Sequence, residues 1–310
     1  MKTLRIGTRG SALALWQAQH VRARLARLGV EAELVVIKTS GDQFQSAQLA
    51  TIGLKGVFIK ELEDALLSGR VDLAVHSMKD VPTEIPEGLV IAAVCEREDV
   101  RDALVSRNGA DLRTLPDGAR IGTSSLRRQA QLLWFRRSLS VVPLRGNVDT
   151  RLRKLSAGEV DAIVVAKAGL DRLGASERIT EVLSPEISLP AVGQGALGIE
   201  CRADDRSVCE LLEALDHPET RAAITAERAL LAALQGGCQV PVGAWGRIQD
   251  GRLVLDAAVL ASDGSACIRQ QVADQPENAV AMGRRLAQSL LEAGADRLLQ
   301  LAGRDLRSRS

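Results

Sequence analysis

Thr123-Ser124-Ser125-Leu126-Arg127-Arg128 sets hydroxyls and two guanidiniums at what reads as the start of a helix. Ser and Thr are favoured N-caps. Arginine in a first turn faces the positive end of the helix dipole and is unfavourable there unless an anion is bound. The segment therefore reads as an anion site. Leu144-Arg145-Gly146-Asn147-Val148-Asp149-Thr150-Arg151 adds Arg145 and Arg151 near a strand end, and Arg9-Gly10-Ser11 forms a similar polar turn near the start of the chain. Guanidinium forks grip carboxylates or phosphates with two parallel bonds. Several such forks suit a ligand rich in one or the other.

Two further segments carry chemistry of a different kind. His76-Ser77-Met78-Lys79-Asp80 follows the apolar run Leu73-Ala74-Val75 and stands at the C-terminal end of an expected strand, where open α/β sheets bind ligands. Asp80 reads equally as a turn carboxylate before Val81-Pro82 and as a catalytic group suited to holding a developing cation. Gly236-Gly237-Cys238-Gln239-Val240-Pro241 puts a thiol on a tight turn, which makes Cys238 the best candidate for covalent chemistry. Cys95 and Cys201 read as inert core thiols. Gly193-Gln194-Gly195-Ala196-Leu197-Gly198 fits the G-x-G-x-x-G spacing, but Pro190 precedes it and Ile199-Glu200-Cys201 continues as strand. A dinucleotide fingerprint needs strand, turn and helix in that order, so nicotinamide binding is not expected.

The elements that must hold these groups show an internal echo. Arg5-Ile6-Gly7-Thr8 recurs as Arg120-Ile121-Gly122-Thr123, each time before a polar turn and a helical pattern, Ala12 to Leu28 and Leu126 to Arg137. Gly69-Arg70-Val71-Asp72 and Gly158-Glu159-Val160-Asp161 likewise each lead into an apolar run. The same order of matches predicts two similar α/β halves with parallel sheets and crossover helices. Facing half-sites would then form one groove. The stretch from Gly41 to Gly56 reads either as a lid or as a surface insertion. The last third predicts a helix from Asp216 to about Leu234, three β-runs turning at Asp250-Gly251 and Asp263-Gly264, a helix from about Pro276 to Leu301, and a frayed tail from Arg304.

Composition narrows the classes. Of 310 residues, 40 are Lys or Arg and 39 Asp or Glu, for a net charge of +1. Such balance argues against a protein that coats nucleic acid, and three Trp, three Phe and no Tyr supply no base-stacking platform. No apolar run approaches the ~20 residues of a membrane span. The start, Met1-Lys2-Thr3-Leu4-Arg5, lacks a signal-peptide core, so a cytoplasmic protein is expected. Five cysteines form no C-x-x-C pair, and His20, His76 and His217 are scattered, so no metal site is expected. Seven of the basic residues are lysines and 33 are arginines. Most of those outside the motifs read as solvated surface.

Taken together these blocks resemble the porphobilinogen deaminase (hydroxymethylbilane synthase) family over nearly the whole chain. The resemblance runs through Arg5–Gln17 (RIGTRGSALALWQ), Lys55–Glu63 (KGVFIKELE), Val75–Pro82 (VHSMKDVP) and Gly122–Gln129 (GTSSLRRQ). It continues through Leu144–Asn147 (LRGN), Leu189–Glu200 (LPAVGQGALGIE), Glu227-Arg228 and Gly236–Val242 (GGCQVPV). It implies a cytoplasmic, monomeric transferase of tetrapyrrole and haem biosynthesis, with neither nucleic acid nor membrane as partner. The enzyme would condense four porphobilinogen molecules head to tail, lose ammonia at each step, and hydrolyse off linear hydroxymethylbilane. It also implies a dipyrromethane cofactor on a cysteine thioether, which falls on Cys238, and a catalytic aspartate, which falls on Asp80.

Cofactor contacts fall on Ser77, Lys79, Asp80, Thr123, Ser125, Arg127, Arg128, Arg145 and Gly146. Substrate contacts fall on Arg9, Ser11, Lys55, Phe58, Arg145, Arg151, Arg172 and Gln194, the last as a groove residue. Leu54 departs from a usual glycine in the loop, and Val57 from a usual leucine. The implied fold is α/β: two domains like type II periplasmic binding proteins and a small α+β domain with a three-stranded antiparallel sheet. The boundaries are 1–97 with 194–215, 98–193, and 216–310, with the chain crossing back to the first domain near Leu189. The chief rival is a non-catalytic, two-lobed polycarboxylate-binding protein, which gives Cys238 and Asp80 no joint role. A phosphoryl or phosphoribosyl transferase lacks both a Walker A pattern and an acidic pair for Mg²⁺.

Overall fold

A computed structural model describes residues 3–38, 59–234 and 240–308. The chain opens with β1 (Leu4–Thr8), α1 (Ala12–Arg27), β2 (Ala32–Val36), α2 (Lys60–Leu67) and β3 (Leu73–Ser77). A 3-10 turn, Met78–Asp80, then leads to β4 (Leu89–Val94). Next come β5 (Asp102–Ser106), β6 (Arg120–Gly122), α3 (Leu126–Phe135), β7 (Ser140–Val142) and α4 (Val148–Ser156). They are followed by β8 (Ala162–Ala166), α5 (Lys167–Arg172), β9 (Glu181–Val182) and β10 (Leu197–Arg202). The last third holds α6 (Arg206–Glu213), α7 (Pro218–Ala233), the strands β11 (Val242–Gln249), β12 (Arg252–Leu260) and β13 (Cys267–Asp274), and the helices α8 (Ala279–Glu292) and α9 (Ala295–Ser308).

Contacts divide the chain into one unit of residues 1–98 and 196–221 and a second of 99–195 and 222–310. The first is built on a sheet of order β2-β1-β3-β10-β4, the second on β7-β6-β8-β5-β9 together with a three-stranded sheet β11-β12-β13. The two five-stranded sheets have one topology. In each, three strands run parallel and the fourth, β10 or β5, runs antiparallel to both its neighbours. The sheets are therefore mixed, where strand–helix alternation predicted parallel ones. The physical reason is connectivity: β5 and β10 are the strands entered from the other unit's segment, so neither follows its sheet neighbour through a βαβ crossover.

The sequence echo is a structural repeat. Ile6 and Gly7 pair with Leu73 and Ala74, just as Ile121 and Gly122 pair with Ala162 and Ile163. The repeated Arg and Asp make the same clasp. The Arg5 N–H donates to Asp72 Oδ2 at 2.9 Å and the Asp72 N–H donates back to the Arg5 carbonyl at 2.9 Å. The Arg120 N–H donates to Asp161 Oδ2 at 2.8 Å, and the Asp161 N–H donates back at 2.9 Å.

Alternation along the strands separates the two faces of each sheet. In the first unit Ile6, Leu73, Ile199 and Cys201 pack under Val21 and Leu25 of α1 and Leu212 of α6, while Ala74 meets Leu62 and Leu66 of α2 on the other face. In the second, Leu104, Ile121 and Val164 meet Leu132 of α3, and Ala103, Ile163 and Val165 meet Leu155 of α4. Each fully buried Val, Leu or Ile among them contributes about 1.5–3 kcal/mol.

The three β-runs form the expected antiparallel sheet, and Asp250 and Gly251 take φ of 51° and 72°, the left-handed pair that a two-residue hairpin requires. The expected single C-terminal helix is two. A 3-10 turn at Pro276–Asn278 precedes α8, and Gly294 at φ 97° separates α8 from α9, because no helix continues through a left-handed residue. The expected fraying from Arg304 is not seen, since α9 runs on to Ser308. Met282, Leu286 and Leu290 of α8 share a core with Ala226 and Leu230 of α7 and Leu253 and Leu255 of β12. This contact depends on a small residue: a Cβ on Gly283 would lie 2.9 Å from both Ala229 Cβ and the Leu230 backbone nitrogen. Gly283→Ala is expected to destabilise the protein by ~1–3 kcal/mol through overpacking, seen as a lower denaturant midpoint at unchanged slope. A midpoint equal to wild type would show that α8 and α7 do not meet this closely.

Candidate active site

In the first unit the site is assembled at the C-terminal ends of β1 and β3. Thr8 ends β1 and is fully buried, its hydroxyl donating to the Ala14 carbonyl at 3.1 Å. Ser11 is the N-cap of α1 and accepts the Ala14 N–H at 3.3 Å. Between them lies Arg9, half-buried. From β3, Ser77 is half-buried and accepts a hydrogen bond from Gln17 Nε2 of α1 at 2.9 Å. Lys79 is half-buried and Asp80 exposed in the 3-10 turn that follows. Arg9, Ser11, Gln17, His76, Ser77 and Asp80 line one open pocket. The structure thus brings Arg9, Ser11, Ser77 and Asp80 together. Sequence reasoning missed Gln17, whose signal was its place on the face of α1 toward β3.

In the second unit the equivalent turn follows β6. Thr123 is buried and its Oγ1 accepts the Ser125 N–H at 3.2 Å, while Ser125 caps α3 by accepting the Arg128 N–H at 3.4 Å. Arg127 and Arg128 are only 4% and 6% exposed. Between them stands a residue no motif disclosed, Asp102 at the start of β5, with no exposure at all. Arg128 Nε and Nη2 reach Asp102 Oδ1 at 3.1 and 2.8 Å, and Arg127 Nη1 lies 2.9 Å from Oδ2. Ser188 Oγ donates to Oδ2 at 2.8 Å. Burial alone would push the Asp102 carboxyl up, but the two guanidinium charges and their hydrogen bonds override it and hold the group far below the usual carboxylate range. Burial pulls the Arg127 guanidinium below its ordinary value.

The remaining residues of this group spread over the second unit. Gln194, expected on a groove wall, is fully buried; its Nε2 donates to the Val100 carbonyl at 2.7 Å and to Asp102 Oδ1 at 2.9 Å. Its amide nitrogen thus bridges the Val100 carbonyl and Asp102. Arg172 is buried and donates to the Gly195 carbonyl at 2.9 Å. Arg145 and Gly146 are exposed after β7, and Arg151 Nε donates to the Gly146 carbonyl at 2.8 Å. Gly193-Gln194-Gly195 is a turn before a strand, as its sequence context indicated, and the Gly193 N–H donates to the buried Glu227 at 2.7 Å.

A family model described as "Porphobilinogen deaminase, dipyromethane cofactor binding domain" matches residues 4–210, and one described as "Porphobilinogen deaminase, C-terminal domain" matches residues 221–292. The chain belongs to the porphobilinogen deaminase family. A porphobilinogen deaminase of Pelotomaculum thermopropionicum is 53% identical over 99% of both chains. That of Desulforudis audaxviator is 56% identical over 95% of this chain and 96% of its own. Among solved structures, a periplasmic substrate-binding protein of an ABC transporter from Coxiella burnetii is similar over 69% of this chain and 92% of its own, at 16% identity and a TM-score of 0.43.

The donor set fits the anionic cofactor that this deaminase family model names. Two buried guanidiniums face one buried carboxylate, which leaves a positive charge uncompensated within the cluster. Arg127 Nε is buried with no hydrogen-bond partner among the described residues. Cys238, Lys55, Phe58 and the Gly41–Gly56 stretch lie outside the described residues. Of the other cysteines, Cys95 and Cys201 are buried. Burial and the neighbouring Cys209 push the Cys201 thiol up to about 12, which suits an inert core thiol. Among the described residues no group of His, Cys, Asp and Glu is arranged to hold a metal ion, and no helix is long and apolar enough to cross a membrane.

Asp102→Asn removes the one carboxylate between two buried guanidiniums, so a loss of ~3–5 kcal/mol at pH 7 is expected from denaturant titration. Because the folded-state value of Asp102 is depressed, its contribution is full above the unfolded value of about 4 and fades as pH falls below it. The gap between wild type and variant should therefore narrow in acid. A gap that stays constant down to pH ~3 would assign the loss to packing and not to charge.

Proposed function

We propose that this chain is a porphobilinogen deaminase (hydroxymethylbilane synthase), a transferase of tetrapyrrole biosynthesis. It condenses four porphobilinogen molecules head to tail with loss of ammonia at each step and releases hydroxymethylbilane by hydrolysis. The observation that carries the reading is the unbroken match, 53% identical over 99% of both chains, to a porphobilinogen deaminase. We further propose that it works in the cytoplasm as a monomer, with neither nucleic acid nor membrane as partner, and in three domains: 1–97 with 194–215, 98–193, and 216–310.

Asp80 is the catalytic group. Exposed at the end of β3 beside Ser77 and Lys79, it accepts the pyrrole N–H of the substrate and sets its charge against the cation formed as ammonia leaves. The half-buried Arg9 and the N-cap Ser11 line the same pocket and hold the acetate and propionate groups. Gln17 fixes the Ser77 hydroxyl. Dipyrromethane, bound as a thioether to Cys238, supplies the pyrrole end to which new units are joined. Thr123, Ser125, Arg127, Arg128, Arg145 and Gly146, with Ser77 and Lys79, bind and orient its carboxylates. Arg145, Arg151 and Arg172 hold carboxylates of incoming units, and Lys55 and Phe58 complete the contacts. A protein that only bound polycarboxylates would use the arginines but would leave Asp80 and Cys238 idle.

Intact-mass measurement of the purified protein should show the added mass of a dipyrromethane, and Ehrlich's reagent should colour it. Cys238→Ala should lose both signals and the activity. Asp80→Asn should keep the cofactor while kcat falls by roughly 10²–10³, the scale set by losing one preorganised electrostatic partner of the transition state. An unmodified and fully active wild type would overturn the proposal, and an Asp80→Asn enzyme at wild-type rate would remove Asp80 from the chemistry.

A further inference from the structure

The first unit buries a histidine and a glutamate in contact, directly behind the proposed catalytic turn. His76 is 5% exposed and Glu200 1% exposed, and His76 Nε2 lies 2.9 Å from Glu200 Oε2. The sheet register explains the meeting. His76 of β3 is opposite Gly198 of β10, and Glu200 is opposite Ala74, so the two side chains are diagonal neighbours on one face. That face is covered by α2, whose first turn carries Glu61 and Glu63. Burial, reinforced by the nearby Glu200, pushes the Glu63 carboxyl up. The other Glu200 oxygen, Oε1, is buried with no hydrogen-bond partner among the described residues.

Fold stability does not account for this arrangement. A buried imidazole–carboxyl pair pays a desolvation cost that an apolar pair of like volume avoids, and here one carboxyl oxygen has no partner among the described residues as well. What the pair does have is position. His76 lines the pocket that holds Ser77 and Asp80, and it immediately precedes them in the chain. The backbone beyond it is pinned by the Met78 N–H donating to the Ala196 carbonyl at 3.0 Å, and the Met78 side chain packs over Gly198, where a Cβ would displace its sulfur.

We propose that Glu200, acting through His76, is a positioning residue that sets the height and direction of the Ser77–Asp80 turn against substrate. The inference rests on the reading of Asp80 as the catalytic carboxylate. Glu200 clamps the imidazole from the antiparallel strand, the imidazole fixes the last residues of β3, and the turn leaves the sheet at the angle that presents Asp80 to the pocket. Neither residue touches substrate in this role.

The test uses the cofactor-loaded enzyme. Replacing both partners, in His76→Leu/Glu200→Leu, removes every buried polar atom of the pair at once, so the protein is expected to fold with a melting temperature near that of wild type. Its kcat should fall by roughly 10- to 100-fold, the penalty of small misplacement, while the KM for porphobilinogen and the cofactor content by intact mass stay within about twofold. Glu200→Gln keeps an acceptor for the imidazole and should recover kcat to within about threefold of wild type. A double variant with wild-type kcat overturns the inference, as does one whose loss lies in KM or cofactor content, or a Glu200→Gln enzyme no better than the double variant. Asp80→Asn, assayed alongside, separates the two readings: wild-type turnover there removes the assignment of Asp80 itself, whereas its collapse beside an active double variant removes only the role of Glu200.

Discussion

A carboxylate with no exposure to water survives as an anion only where both its oxygens are met by charge and hydrogen bonds. Asp102 meets that condition through Arg128 and Gln194 on Oδ1 and through Arg127 and Ser188 on Oδ2. These partners come from α3, from the segment before Leu189, and from the Gly193–Gly195 turn. One side chain therefore fixes several elements of the second unit at once. The same arrangement underlies the proposed binding of carboxylates here. Two guanidiniums around one carboxylate leave excess positive charge in a place with little water, where a further anion gains most from charge-assisted bonds.

The two halves of the repeat have put a buried acid on the same strand and used it differently. β10 and β5 occupy the same place in their sheets, each the antiparallel fourth strand. Glu200 on β10 reaches along the sheet to His76, so the first unit stiffens a strand end that presents Asp80. Asp102 on β5 reaches to the first turn of α3, so the second unit stiffens a helix start that presents guanidiniums. The Arg5–Asp72 and Arg120–Asp161 clasps hold the shared frame in both. Difference in function thus resides in which partner the inserted acid finds.

The repeat itself was legible, because Arg-Ile-Gly-Thr and the Gly-x-Val-Asp blocks are local patterns whose contacts are made with one another. The polar turns and caps at Ser11 and Ser125 were legible for the same reason. What could not be read was anything set by pairing between distant strands. Asp102 stands in Arg101-Asp102-Ala103 with no motif around it, and its meaning comes from residues 25 to 92 positions away. Glu200 meets His76 across 124 positions only because β10 runs antiparallel, and the alternation of strands and helices had pointed to parallel sheets. Arg127 and Arg128, in the first turn of a helix, read from sequence as needing an anion. That an internal carboxylate already meets part of the need follows from burial, which the first turn of a helix does not reveal.

The excess of arginine over lysine has a second cause beside the ligand. Most arginines outside the motifs read from sequence as solvated surface, and several of them are clamps on backbone carbonyls. Arg202 Nη1 donates to the carbonyls of Leu66 and Val71, each at 2.9 Å, while its other nitrogen meets Asp205. Arg221 reaches the carbonyls of Ile91 and Ala92 and pairs with Asp216. Arg136 joins the carbonyls of Leu112 and Arg113 to Asp117. Each of these sites asks for donors spread in one plane and aimed at two or three acceptors together. A guanidinium provides five donors in that geometry, whereas an ammonium provides a compact point charge that keeps its water. A chain with six aromatic rings and a balanced charge thus uses one residue type to tie strand and helix ends inside each unit and, in the proposed function, to grip carboxylates at the site.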